Sequence, residues 1–148
     1  MDNLKLFISL SRTMLYLDRE TDKIYKEHGI TKTQFAVLEV LYHKGDLSQC
    51  DIRQLILTTA GNLPVVINNL LKEDLISKRP HEADGRRQVL SLTLKGRKLL
   101  EEVFPKNQKC IEDCFSVWTE KEKEMLHAAM KKFRKEQLRP SLTYLLVM

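Results

Sequence analysis

The sequence predicts a mainly α-helical fold with one small β-hairpin. Apolar residues recur at helical spacing through most of the chain. Gly (5) and Pro (4) are scarce among 148 residues, which leaves little room for long loops. One segment departs from the helical pattern: Leu75 to Arg79 and Gln88 to Thr93 flank an Asp84-Gly85 turn pair, the strongest short-range hairpin signal in the chain.

Asn3 to His28 reads as one long helix, with Leu4, Phe7, Ile8, Leu15 and Ile24 near helical spacing and Gly29 as its stop. A long amphipathic helix outside a compact domain needs a partner to cover its apolar stripe. Thr31-Lys32-Thr33-Gln34 has the form of a capping box and opens a second helix, whose Phe35, Val37, Leu38 and Leu41 face inward until Gly45. Asp46-Leu47 is a short extended link. Ser48, with Asp51 three residues on, caps a third helix that turns Ile52, Leu55 and Ile56 inward. Residues 57–62 form a turn. A fourth helix runs to about Glu73, with Leu63, Val66, Ile67 and Leu70 at i, i+3, i+4 and i+7. Proline fits only in the first turn of a helix, so Pro64 sets the start at Gly61 to Leu63 and makes Asn62 the expected cap.

After the hairpin, Thr93 caps a helix from Leu94 to Trp118, with a kink or short break expected at Pro105. Thr119-Glu120-Lys121-Glu122 is another capping box, opening a helix to about Leu138. Pro140 stops it and leaves an apolar tail, Leu142 to Met148.

Helix, helix, turn, helix and two-stranded hairpin, in that order, make a winged helix-turn-helix. A helix with its side chains is about 10–12 Å across and fits the major groove of DNA, while a hairpin beside it reaches the adjacent backbone or minor groove. Four stretches carry a family resemblance: Ile30-Thr31-Lys32-Thr33-Gln34-Phe35, Leu70-Leu71-Lys72-Glu73-Asp74-Leu75-Ile76, Asp84-Gly85-Arg86-Arg87 and Leu92-Thr93-Leu94-Lys95-Gly96. Together they resemble the MarR family of transcription regulators over nearly the whole chain. The resemblance implies an N-terminal dimerisation helix in residues 1–30, a DNA-binding winged helix-turn-helix in 31–98 and C-terminal dimerisation helices in 99–148. It implies a homodimer on a near-palindromic double-stranded operator, acting as a repressor released by an oxidant or by a small aromatic or phenolic ligand.

Candidate contact residues follow. Residues 72–98 hold eight Lys or Arg against four acids, while the whole chain has a net charge of +5. In the wing the candidates are Arg79, Asp84, Arg86 and Arg87. The resemblance places Arg86 in the minor groove, steadied by Asp84; a narrow minor groove concentrates negative potential. In the turn and recognition helix they are Thr58, Thr59, Asn62, Val65, Asn68, Asn69 and Lys72. Asparagine can read adenine, and Val65 can touch a thymine methyl. The bland alternatives are a solvated turn and solvent-facing amides. Many family members carry an arginine near the start of this helix, where the chain reads Leu63-Pro64-Val65-Val66. That departure keeps open a second reading, a winged-helix protein-interaction module without DNA binding.

Cys110 and Cys114 lie four apart and share a helix face. They are a candidate redox pair, which gives a third reading as a thiol-based sensor, or else simple packing residues. Cys50 is expected near the core. The four histidines are dispersed, so no metal site and no cofactor are expected. No nucleophile-base pattern or phosphate loop points to an enzyme. With no signal peptide and no apolar run of membrane-spanning length, a cytoplasmic location is expected.

Overall fold

A computed structural model describes residues 2–56 and 62–137. Thr58 and Thr59, the Pro140 stop and the Leu142 to Met148 tail lie outside them. In chain order the elements are α1 (Asn3–Glu27), α2 (Lys32–Lys44), β1 (Leu47–Ser48), α3 (Gln49–Leu55), α4 (Leu63–Lys72), β2 (Ile76–Pro80), β3 (Gln88–Leu92), α5 (Leu94–Phe115) and α6 (Glu120–Gln137).

Local chemistry sets the helix starts. At α2 the box is reciprocal: Thr31 N donates to Gln34 Oε1 at 2.8 Å and Gln34 N to Thr31 Oγ1 at 3.2 Å. Ser48 and Asp51 repeat it at α3, at 3.1 and 3.2 Å. Thr119 and Glu122 do so at α6, at 2.8 and 3.3 Å. Thr93 Oγ1 accepts from Gly96 N at 3.0 Å and opens α5. Gly29, at φ +69°, follows the end of α1 as expected.

Four expectations need correction. Asn62 precedes α4, but its backbone is already helical (φ −86°, ψ −29°) and its side chain makes no cap bond. Pro64 then sits in the first turn, where its missing N–H costs nothing. The helix at Pro105 does not break: α5 runs through it, with Leu100, Val103 and Asn107 buried on either side. It ends at Phe115, three residues before Trp118, whose ring stacks on Phe115 at 5.4 Å. The link after Gly45 is itself a strand. Leu47 pairs with Leu90 and Ser48 with Val89, giving an antiparallel sheet in the order β1-β3-β2.

The core lies between α2, α4, α5 and this sheet. Leu38, Ile52, Leu63, Leu70, Ile76, Leu90 and Leu100 are its largest fully buried side chains. The Tyr25 ring stacks on Phe35 with centroids 4.8 Å apart, and its hydroxyl donates to buried Asn107 Oδ1 at 2.8 Å, tying α1 to α5. Burial pushes the Tyr25 hydroxyl up to about 12, so it remains a neutral donor. Outside this contact α1 exposes Leu4, Phe7 and Leu15, and α6 exposes Met125 and Phe133.

Gly96 lies directly against the Leu75 carbonyl. A Cβ there would overlap the carbonyl oxygen and meet the carbonyl carbon at 2.9 Å. Both are backbone atoms and cannot swing aside, so Gly96→Ala should destabilise the fold by about 3 kcal/mol, the upper part of the range for overpacking. Denaturant unfolding checks this; a midpoint equal to wild type would show that the seam is looser than drawn.

Candidate nucleic-acid interface

The α4 helix turns Leu63, Val66, Ile67 and Leu70 into the core. That fixes the opposite side, where Asn62, Val65, Asn68, Asn69 and Lys72 are all exposed. At 56% exposure Val65 is an apolar side chain turned away from the core. Ten residues span about 15 Å, a length suited to one groove crossing.

The β2–β3 ladder pairs Ile76 with Leu92 and Pro80 with Gln88, so residues 81–87 project as the wing tip. The tip is bonded internally. His81 N donates to Arg87 O at 2.8 Å and Arg87 N to Asp84 O at 3.0 Å. Asp84 Oδ1 accepts from Arg86 N at 3.1 Å. Asp84 thus holds the main chain of Arg86, where the resemblance implied a hold on its position without saying by which atoms. Among the described residues Lys72, Arg86 and Arg87 have no ion-pair partner.

Arg79 stands apart from the other wing candidates. Its Nη2 donates to Asp46 Oδ2 at 3.0 Å, joining β2 to the segment before β1 across 33 residues of sequence. It braces the wing root, and sequence reading missed this because nothing local to either residue signals the pair. Lys95 is also engaged, donating to Glu73 O at 2.6 Å. Arg97 lies over the Tyr42 ring at 5.0 Å from its centroid.

The cysteines divide. Cys50 is exposed, not packed near the core as expected: it stands in the first turn of α3, whose inward face is taken by Ile52. Cys110 and Cys114 are half-buried and line an open groove of about 480 Å³ between α1 and α5, with Tyr16, Glu20, Lys106, Lys109 and Asp113. Burial and then the Cys114 neighbour push the Cys110 thiol above its ordinary range. Among the described residues no three His, Cys, Asp or Glu side chains gather as metal ligands, and no helix is long and apolar enough to cross a membrane.

Residues 20–103 match the model of the SarA/Rot transcriptional regulator family. The chain is 36% identical to MhqR, an HTH-type transcriptional regulator of Bacillus subtilis, over 88% of this chain and 90% of that protein. The chain belongs to the MarR family. It is a DNA-binding transcription regulator, and its relatives are regulators rather than enzymes. Solved structures of the family share the fold. A mutant MarR of E. coli complexed with operator DNA superposes with a TM-score of 0.72 at 20% identity, covering 89% of this chain and 98% of that one. BpsR of Bordetella bronchiseptica, whose DNA binding is regulated by 6-hydroxynicotinic acid, gives 0.77 at 23% identity, covering 84% and 89%.

For a MarR-family wing the Asp84 geometry makes a clear distinction. An amide in place of the carboxylate keeps the bond to Arg86 N; a methyl group removes it. Asp84→Asn should therefore bind DNA as tightly as wild type or slightly tighter, because one negative charge is gone. Asp84→Ala should lose about 2- to 10-fold, the worth of one such hydrogen bond. Fluorescence anisotropy on labelled duplex measures both; equal loss in the two variants would mean that charge, not the main-chain bond, is what matters.

Proposed function

We propose that the chain represses transcription as a homodimer on a near-palindromic operator, with α4 in the major groove and the wing in the minor groove. One observation carries this: α4 presents an exposed polar face, and the hairpin that follows it ends in an internally bonded tip whose two arginines have no ion-pair partner among the described residues. With the main chain fixed at Arg86, only the side chain remains to be ordered on binding, and a narrow minor groove draws its guanidinium in. Asn62, Val65, Asn68 and Asn69 are the base-reading candidates, and Lys72 and Arg87 the phosphate contacts. Arg86 is the minor-groove residue. Arg79 acts from the wing root through Asp46.

The dimer reading is supported by the apolar residues left uncovered at Leu4, Phe7 and Leu15 of α1 and at Met125 and Phe133 of α6. Residues 1–30 and 99–148 pair in it, and residues 31–98 remain free to meet DNA. Two recognition helices then face half-sites roughly 34 Å apart. A small aromatic or phenolic ligand, or an oxidant, releases the repressor by changing that distance; the regulation of BpsR by an aromatic acid supports the ligand class. A cytoplasmic location follows from the DNA target.

Replacing Arg86 with Ala should weaken operator binding by about 1–3 kcal/mol while the protein still sediments as a dimer. Lys72→Ala should weaken all duplexes alike and lower the salt slope by about one unit per protomer. Anisotropy titrations over a salt series, on the DNA upstream of the gene and on scrambled duplex, test both. Unchanged affinity in Arg86→Ala at fixed salt would remove the wing from the interface, and a monomer at micromolar concentration would overturn the dimer.

A further inference from the structure

The α1–α5 groove brings two thiols to one wall. Cys110 and Cys114 are a helical turn apart on α5, both half-buried, with Tyr16 of α1 also lining the space. Residues four apart on a helix hold their Cβ atoms about 5–6 Å apart. A disulfide needs them at about 3.5–4.5 Å. Direct oxidation of this pair therefore requires α5, which runs as continuous helix through both residues, to distort locally. A single atom bonded to both sulfurs spans the longer gap without that distortion.

The surroundings favour the same outcome. The Cys110 thiol is pushed upward by burial and by Cys114, so the thiolate that peroxide chemistry needs is scarce. Lys109 is paired with Asp113 at 3.0 Å and does not stand free to stabilise a thiolate.

We propose that Cys110 and Cys114 form a dithiol site for trivalent thiophiles of the organoarsenic class, with the organic group seated in the groove beside Tyr16. The step is a condensation. The hydrated arsenical, R–As(OH)₂, loses both As–O bonds and gains two As–S bonds; the two thiol protons leave with the hydroxides as two waters. Arsenic stays trivalent and no oxidant is consumed. The adduct is uncharged, which two half-buried sulfurs carry more readily than the charge of two thiolates. The site does not depend on the DNA-binding reading, and its test uses no DNA.

Phenylarsine oxide is the probe. The chain has three cysteines, so the untreated protein should show three thiols to a thiol reagent after denaturation. One equivalent of probe should add one arsenical per chain by intact mass and leave one reactive thiol, assigned by peptide mapping to Cys50. Excess monothiol should not strip the adduct, while 2,3-dimercaptopropanol should. Cys50→Ser should bind as wild type. Cys110→Ser and Cys114→Ser should each bind at least ~100-fold more weakly, the loss expected when a two-point attachment becomes one. Circular dichroism shows whether the variants fold, and the protection pattern in wild type tests the site even if one does not. Binding at Cys50, wild-type affinity in either single variant, or no adduct on the folded protein would overturn the proposal.

Discussion

The seam between α4, β2 and α5 is the constraint on which the rest of the structure depends. Leu75 N donates to Leu70 O at 2.9 Å as α4 ends, and Thr93 N donates to Leu75 O at 3.2 Å as α5 begins. Thr93 Oγ1 donates to Asp74 O at 2.7 Å, and Asp74 sits at φ +58° to make the turn. Lys95 reaches back to Glu73 O. The carbonyls of three successive residues, Glu73, Asp74 and Leu75, are thus bonded to the start of α5, and the Leu75 carbonyl can lie this close only because Gly96 has no side chain. One joint therefore fixes the end of the reading helix, the start of the wing and the start of the long helix that leaves the lobe. None of the three can rotate without disturbing the other two.

The second tie lies at the far side of the lobe. Tyr25 crosses from α1 to α5 and bonds Asn107, the one buried amide of α5. A buried donor and acceptor that satisfy each other are costly to separate, since each would be left unpaired away from water. Gly96 holds α5 at its start and Asn107 holds it near its middle. The groove with Cys110 and Cys114 runs along α5 from Lys106 to Cys114, past that second point.

The parts of the fold legible in the sequence were those governed by neighbours in the chain. Capping boxes at Thr31, Ser48 and Thr119 need only three residues, and the Asp84-Gly85 turn only two. Pro64 located the start of α4 because proline excludes every later position. What escaped was set by distant partners. The two-residue β1 exists only because β3 offers it a ladder. The Asp46–Arg79 bridge and the Tyr25–Asn107 bond join residues far apart in sequence, and no periodic pattern marks them. Pro105 was expected to kink or briefly break α5, and no break occurs, because packing on both sides outweighs one lost backbone bond. Cys50 was misplaced because a first-turn position can face either way until the following apolar residue is docked.

The candidate site divides its labour in a way that composition alone does not suggest. The exposed side of α4 holds amides, one valine and one lysine, so it brings little charge to a phosphate backbone. The wing brings the charge. Electrostatic affinity on DNA scales with phosphates neutralised, whereas base discrimination comes from hydrogen-bonding and apolar edges in the groove. In the proposed docking these two terms therefore sit on different elements. The absence of an arginine at the start of α4, which argued against DNA binding when taken alone, then has a different meaning. A reading helix with a single cation can leave a wrong sequence with little residual attraction, provided that a braced wing supplies the affinity. The Asp46–Arg79 bridge supports that role: it uses up one wing cation, and in return joins the root of the hairpin to the segment before β1, so that the tip arginines are presented from a hairpin tied on both sides.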